Sequence, residues 1–99
     1  MLGISNNLRI INPVNSIIYS NKAAKQLRKL QPSDSKVVRA ECNKLTNMPK
    51  CQNQDIRALV NHKYQYRLRV GNFRIFFDFD GIAKIVWIEE VKKRDERTY

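Results

Sequence analysis

Ninety-nine residues, 42% of them hydrophobic and with only three glycines and three prolines, suffice for one small packed domain and argue against a disordered chain. Nineteen Lys and Arg against nine Asp and Glu give a net charge of +10, which points to nucleic acid, an acidic protein or an anionic membrane surface as partner. No apolar run reaches the roughly 20 residues of a membrane span, and Cys42, Cys51 and one histidine do not make a zinc site.

The N-terminal stretch has neither a cationic start nor a clean apolar core, so it does not read as a secretory signal. Residues 1–14 read as a lead-in, closed by Pro13, and residues 15–99 as the single domain. Residues 15–19 (NSIIY) are a short strand candidate that should join a sheet. Residues 21–30 predict a helix, with Ala24, Leu27 and Leu30 (and Ala23) as its apolar stripe and Asn21 or Ser20 as its cap. Pro32 suits the first turn of a second helix running to about Asn47, because the missing N–H is not needed there. Val38, Cys42 and Leu45 fall at helical spacing, with Val37 and Met48 nearby, and Met48-Pro49 ends the segment. The short link predicts an antiparallel helical hairpin.

Residues 49–63 are less legible: DIRALV suits either a short strand or a helical turn, and NHK a polar loop. The sheet is clearer. Strand 64–70 meets strand 73–79 across Gly71-Asn72, and strand 73–79 meets strand 82–91 across Asp80-Gly81, both good two-residue turns. With those loops, Val70 faces Phe73, Arg69 faces Arg74, Arg67 faces Phe76, Phe79 faces Ile82 and Arg74 faces Trp87. One face then carries Tyr64, Tyr66, Leu68, Val70, Phe73, Ile75, Phe77, Phe79, Ile82, Val86 and Ile88, a core for the helices to cover. The other carries Gln65, Arg67, Arg69, Arg74, Phe76, Ile85, Trp87 and Glu89. The expected fold class is α+β: an N-terminal strand and an antiparallel helical hairpin packed on a small antiparallel sheet.

Arg69 opposite Arg74 is unfavourable unless an anion, or Glu89 nearby, relieves it. Phe76 and Trp87 on the same face combine aromatic and guanidinium planes, the usual means of holding unstacked bases. The tail VKKRDERTY adds Lys92, Lys93, Arg94 and Arg97 and ends on Tyr99. His62, the single histidine, stands beside Lys63 before the first arginine strand, as a rim phosphate contact or proton carrier, or simply as an exposed loop residue. There is no Ser/His/Asp arrangement, carboxylate pair, glycine-rich phosphate loop or metal-ligand spacing. Chemistry with Arg, Lys, Tyr and His alone suits RNA, whose own 2′-OH is the nucleophile; no cofactor is expected.

The helical hairpin followed by YRLRVGNFRIFFDFDG and IVWIEEVKKRDERTY resembles the RelE/ParE superfamily of bacterial toxins from toxin–antitoxin systems, over residues 15–99. In its RelE branch the resemblance implies a ribosome-dependent, metal-independent mRNA endoribonuclease that inhibits translation. Carried over to this chain, Arg74 contacts the scissile phosphate and Arg94 stabilises charge or the leaving group. Tyr99 stacks on a base and serves as general base, and Arg67 is one of two basic residues on the preceding strand. Gln65 stands where the second is expected, with Lys63 or His62 as substitutes, and the Arg94-to-Tyr99 spacing is about one residue shorter than the RelE pattern. Arg69, Trp87, Lys92 and Lys93 complete the implied RNA surface. The ParE branch, which poisons DNA gyrase by protein contact, is the alternative, and a non-catalytic nucleic-acid-binding regulatory domain is the third. Either toxin branch implies a cognate antitoxin, a toxin–antitoxin hetero-oligomer and the bacterial cytoplasm. The RelE branch adds the ribosome and A-site mRNA.

Overall fold

The computed structural model describes residues 14–94. Residues 1–13, nearly all of the lead-in, and residues 95–99, with Tyr99, lie outside the described residues. Strand β1 (Ser16–Tyr19) leads into helix α1 (Asn21–Arg28), then helix α2 (Pro32–Asn43) and a 3₁₀ turn (Lys44–Asn47). Four strands follow in two hairpins' worth of chain: β2 (Asp55–Ala58), β3 (Tyr66–Val70), β4 (Phe73–Asp80) and β5 (Ile85–Lys93). The five-stranded sheet has the order β1-β5-β4-β3-β2, antiparallel except for β1, which lies parallel to β5. This is the expected α+β architecture, and DIRALV resolves to an edge strand.

Local signals account for the helices. Ser20 caps α1, its Oγ accepting the Ala23 N–H at 3.0 Å while donating to the Glu89 carbonyl at 2.9 Å. One side chain thus fixes both the helix start and its seat on β5. Pro32 begins α2, which needs no side-chain cap bond. Ala23 and Leu27 of α1 and Val38, Cys42 and Leu45 after them bury fully against Leu68, Ile75, Phe77, Val86 and Ile88 of the sheet. That is the alternation expected of a sheet covered on one face.

Asn15 is a buried polar residue at the entrance to β1. Its Nδ2 donates to the carbonyls of Thr46 and Met48 at 3.0 Å and of Leu45 at 3.4 Å, and its backbone N–H to Thr46 at 3.1 Å. It satisfies the end of the 3₁₀ turn, where the Leu45 carbonyl also takes the Met48 N–H but those of Thr46 and Met48 have no partner within the turn. Tyr19 packs against the core that holds Cys42; burial pushes the Cys42 thiol up to about 12 and raises the Tyr19 phenol as well. Cys42 and Cys51 are both free thiols.

Four expectations need correction. The β4–β5 connection is not a two-residue turn. The Asp80 carboxylate accepts the N–H groups of Ile82 (3.0 Å) and Ala83 (2.9 Å), and Lys84 takes a φ of 62°, so residues 81–84 form a longer loop. Ile82, placed in the core by the shorter loop, is 97% exposed. In consequence Phe79 pairs with Val86, and Arg74 with Lys92 instead of Trp87, which faces Asp78. Tyr64 is buried but lies before β3 and outside the main core. Its ring sits 5.9 Å from that of Phe76, an outer-face residue.

Candidate functional site

The outer face of the sheet is organised in rows by the register. Asp55, Arg69, Arg74 and Lys92 form one row across β2 to β5. Arg57, Arg67, Phe76 and Glu90 form the next. Gly71, at a φ of 55°, allows the tight β3–β4 turn that brings Arg69 against Arg74. The Arg94 N–H donates to the Asn72 carbonyl at 2.6 Å, which ties the start of the tail to that turn and sets Arg94 beyond Lys92 on the same side. Arg67, Arg69, Arg74, Lys92 and Arg94 therefore share one face.

These cations differ in how they are held. Arg67 is only 20% exposed; its Nη2 lies 3.8 Å from Asp55, and its buried Nε has no hydrogen-bond partner. Lys92 reaches Glu90 at 3.9 Å, and Glu90 also meets Lys22 of α1 at 3.5 Å. Arg69, Arg74 and Arg94 are exposed and make no ion pair among the described residues. Glu89 does not relieve the Arg69–Arg74 repulsion. It is the extra residue of a β-bulge opposite Phe76 and Phe77, and its carboxyl meets Asp78 instead. Burial, and then the Asp78 carboxylate, raise the Glu89 carboxyl above its usual range.

Beside the cation rows lies an aromatic stack. The His62 ring is parallel to Phe76 at 5.2 Å and tilted against Tyr64 at 5.9 Å. His62 Nδ1 accepts the Tyr64 N–H at 3.0 Å, which leaves the ring proton on Nε2. Lys63 stands over the Tyr64 ring with its Nζ 5.4 Å from the centroid. Gln65 is engaged within the sheet: its N–H donates to Asp78 at 2.8 Å and its Oε1 accepts from Phe79 N–H at 2.6 Å.

The geometry separates two expected members. Lys93 pairs with Phe73, a core-face residue, and lines a cavity of about 310 Å³ with Asp34, Val37 and Val70 on the helix side. Trp87 sits at the far end of the outer face, four residue pairs from the Arg74 row, in a larger cavity with Lys63, Asp78 and Glu89. Sequence reasoning missed the bulge at Glu89 and the Asp78–Glu89 contact. The consecutive acids Glu89-Glu90 within an alternating strand were the available sign.

A rigid row of cations beside an aromatic stack can hold a phosphodiester while a base stacks nearby. The fold is shared with solved toxins at low identity. A chain of the archaeal RelE–RelB complex from Pyrococcus horikoshii superposes with a TM-score of 0.70 at 19% identity, covering 84% of this chain and 98% of that one. The RelBE2 toxin–antitoxin complex of Mycobacterium tuberculosis gives 0.68 at 20%, with 82% and 99% covered, and the isolated E. coli RelE toxin 0.68 at 14%, with 85% and 88% covered. No curated protein matches the chain. Residues 17–98 match the family model described as the ParE toxin of type II toxin–antitoxin systems, parDE. With nearly the whole domain inside that match, the chain belongs to the ParE toxin family of type II toxin–antitoxin systems, within the RelE/ParE superfamily.

Proposed function

We propose that this toxin is a ribosome-dependent mRNA endoribonuclease that needs no metal, and that it is held in check by a cognate antitoxin in a hetero-oligomer. The observation that carries the reading is the exposed row of Arg69, Arg74 and Lys92 with Arg94 tied beside it, three of these four cations without an ion pair among the described residues. Such a row costs stability in the free protein and is relieved by a phosphate.

In this reading Arg74 and Arg94 hold the scissile phosphate and Arg67, with its unpartnered Nε, supports them. The 2′-oxygen forms a bond to phosphorus, its proton passes to the Tyr99 phenolate, and the bond to the 5′-oxygen breaks. A 2′,3′-cyclic phosphate results, and the departing 5′-oxygen, its charge stabilised by Arg94, takes a proton from water to become the 5′-hydroxyl. Tyr99, ordinarily ionising near pH 10, works as a base only if the neighbouring arginines lower that value. His62 and Lys63 take the rim role that Gln65, spent on the sheet, does not fill. The solved complexes that share the fold pair RelE with RelB, which supports an antitoxin partner here.

The test is primer extension on mRNA in a translating extract containing the wild-type chain, Arg74→Ala or Tyr99→Phe. Cuts that require translating ribosomes and disappear in both variants support the reading; full activity of Tyr99→Phe removes the general-base role. The second reading is inhibition of DNA gyrase by protein contact, favoured by the family model itself, which is that of ParE toxins.

A further inference from the structure

The outer face is divided by charge. Its turn end carries Arg69, Arg74 and Lys92; its other end holds a cavity of about 690 Å³ whose lining includes Trp87, Lys63, Asp78, Asp80 and Glu89. Asp78 lies four residues from Arg74 along β4, about 13 Å. In a chain of net charge +10, none of these three acids is ion-paired among the described residues. Phosphate is repelled there. The Trp87 indole, 39% exposed, nonetheless offers a stacking platform on the same face as the cations.

We propose that this cavity is a base-reading subsite that selects guanine from an RNA strand whose backbone runs over the arginine row. The proposal rests on the reading above only in taking RNA as the ligand. Guanine presents two adjacent donors, N1–H and N2–H, next to the O6 acceptor. The Asp78 carboxylate, whose Oδ1 also takes the Gln65 N–H at 2.8 Å, accepts both donors through its remaining lone pairs, and Lys63, which lines the cavity, donates to O6. Adenine and cytosine offer one donor beside an acceptor, and uracil one donor between two acceptors, so each leaves a carboxylate oxygen facing a lone pair. Asp78 and Glu89 meet side chain to side chain, and burial and the Asp78 carboxylate raise the Glu89 carboxyl above its usual range. The cavity is far larger than one cationic side chain needs and opens on the same sheet face as the arginine row, which favours a base over a protein arginine.

Trp87 is the single tryptophan, so its emission reports this cavity alone. The probes are 2′-O-methylated trinucleotides, which cannot be cleaved, with guanine, hypoxanthine or adenine at the centre. The guanine probe should quench Trp87 and bind about tenfold tighter than the hypoxanthine probe, which lacks the N2 donor. Asp78→Asn, its fold checked by circular dichroism, should erase that difference. The hypoxanthine comparison needs no variant, so the test stands even if Asp78→Asn unfolds. Equal affinity for the three probes, or no quenching, overturns the proposal. Quenching by N-acetyl-arginine amide without discrimination among the RNAs also overturns it and reassigns the cavity to a protein side chain. Because the probes are uncleavable, guanine selectivity without mRNA cutting would contradict only the endoribonuclease reading, and cutting without selectivity only the subsite.

Discussion

Arg69 and Arg74 stand directly opposite each other across the β3–β4 hairpin, and Lys92 extends the row on β5. Like charges in cross-strand pairs destabilise a sheet by about 0.2–1 kcal/mol. Retaining them on an exposed face makes sense if an anion is bound there, and this separates stability from activity. Arg74→Ala should raise the denaturation midpoint slightly at low salt while lowering cleavage about 10²–10³-fold, the usual cost of one donor to a charged transition state. Loss of stability alongside loss of activity would make Arg74 a structural residue instead.

Engagement of a phosphodiester backbone by Arg69, Arg74, Lys92 and Arg94 should also be visible in salt. Four contacts on single-stranded RNA predict a slope of log K against log salt of about −3. Titration of an uncleavable RNA at several salt concentrations measures it, and each Arg→Ala change should flatten it by roughly 0.7. A flat line would mean that the contacts are not ionic.

Asn15 makes a structural prediction. Its side chain satisfies carbonyls at the end of the 3₁₀ turn from a position 4% exposed. Asn15→Ala should destabilise the fold by about 1–3 kcal/mol, measured by urea denaturation, because the Met48 carbonyl loses its donor while those of Thr46 and Leu45 keep only a backbone N–H. Surface changes such as Lys36→Ala should be near neutral.

Glu89 supplies a pH dependence. Its carboxyl is raised by burial and by Asp78, so between the ordinary glutamate value and that raised value the folded chain binds more protons than the unfolded one. The contribution of this group to stability is therefore fully present at the acidic side of the window and lost as pH rises through it. Glu89→Gln should abolish that loss, so the variant's melting temperature at pH 7 should equal or exceed that of the wild type. A variant less stable at pH 7 than the wild type would show that the ionised Glu89 is favourably paired.

Much of this was legible in the sequence because the signals were local. The apolar spacing of Val38, Cys42 and Leu45, Pro32 at a helix start and Gly71-Asn72 between alternating strands each specify geometry within a few residues. The β4–β5 register was not, since Asp80 uses its carboxylate to hold a longer loop that no dipeptide rule anticipates. The face assignments of Val86, Trp87 and Ile88 survived because the register moved by four, an even number, which leaves a period of two unchanged. The bulge at Glu89 then adds one residue and turns Lys92 outward and Lys93 toward the helix side, which is why only Lys92 joins the arginine row. Tyr64 misled the reading for a different reason: outside a strand the alternation rule does not apply, and the ring found Phe76 and His62.

The most direct test of the central claim is mapping of mRNA 5′ ends in cells expressing the wild-type chain beside Arg74→Ala, with gyrase supercoiling activity assayed in the same cultures. The account predicts new mRNA ends within translated codons, absent from Arg74→Ala, and unchanged supercoiling. Intact mRNA with growth arrested and supercoiling lost would contradict it and make the chain a gyrase poison.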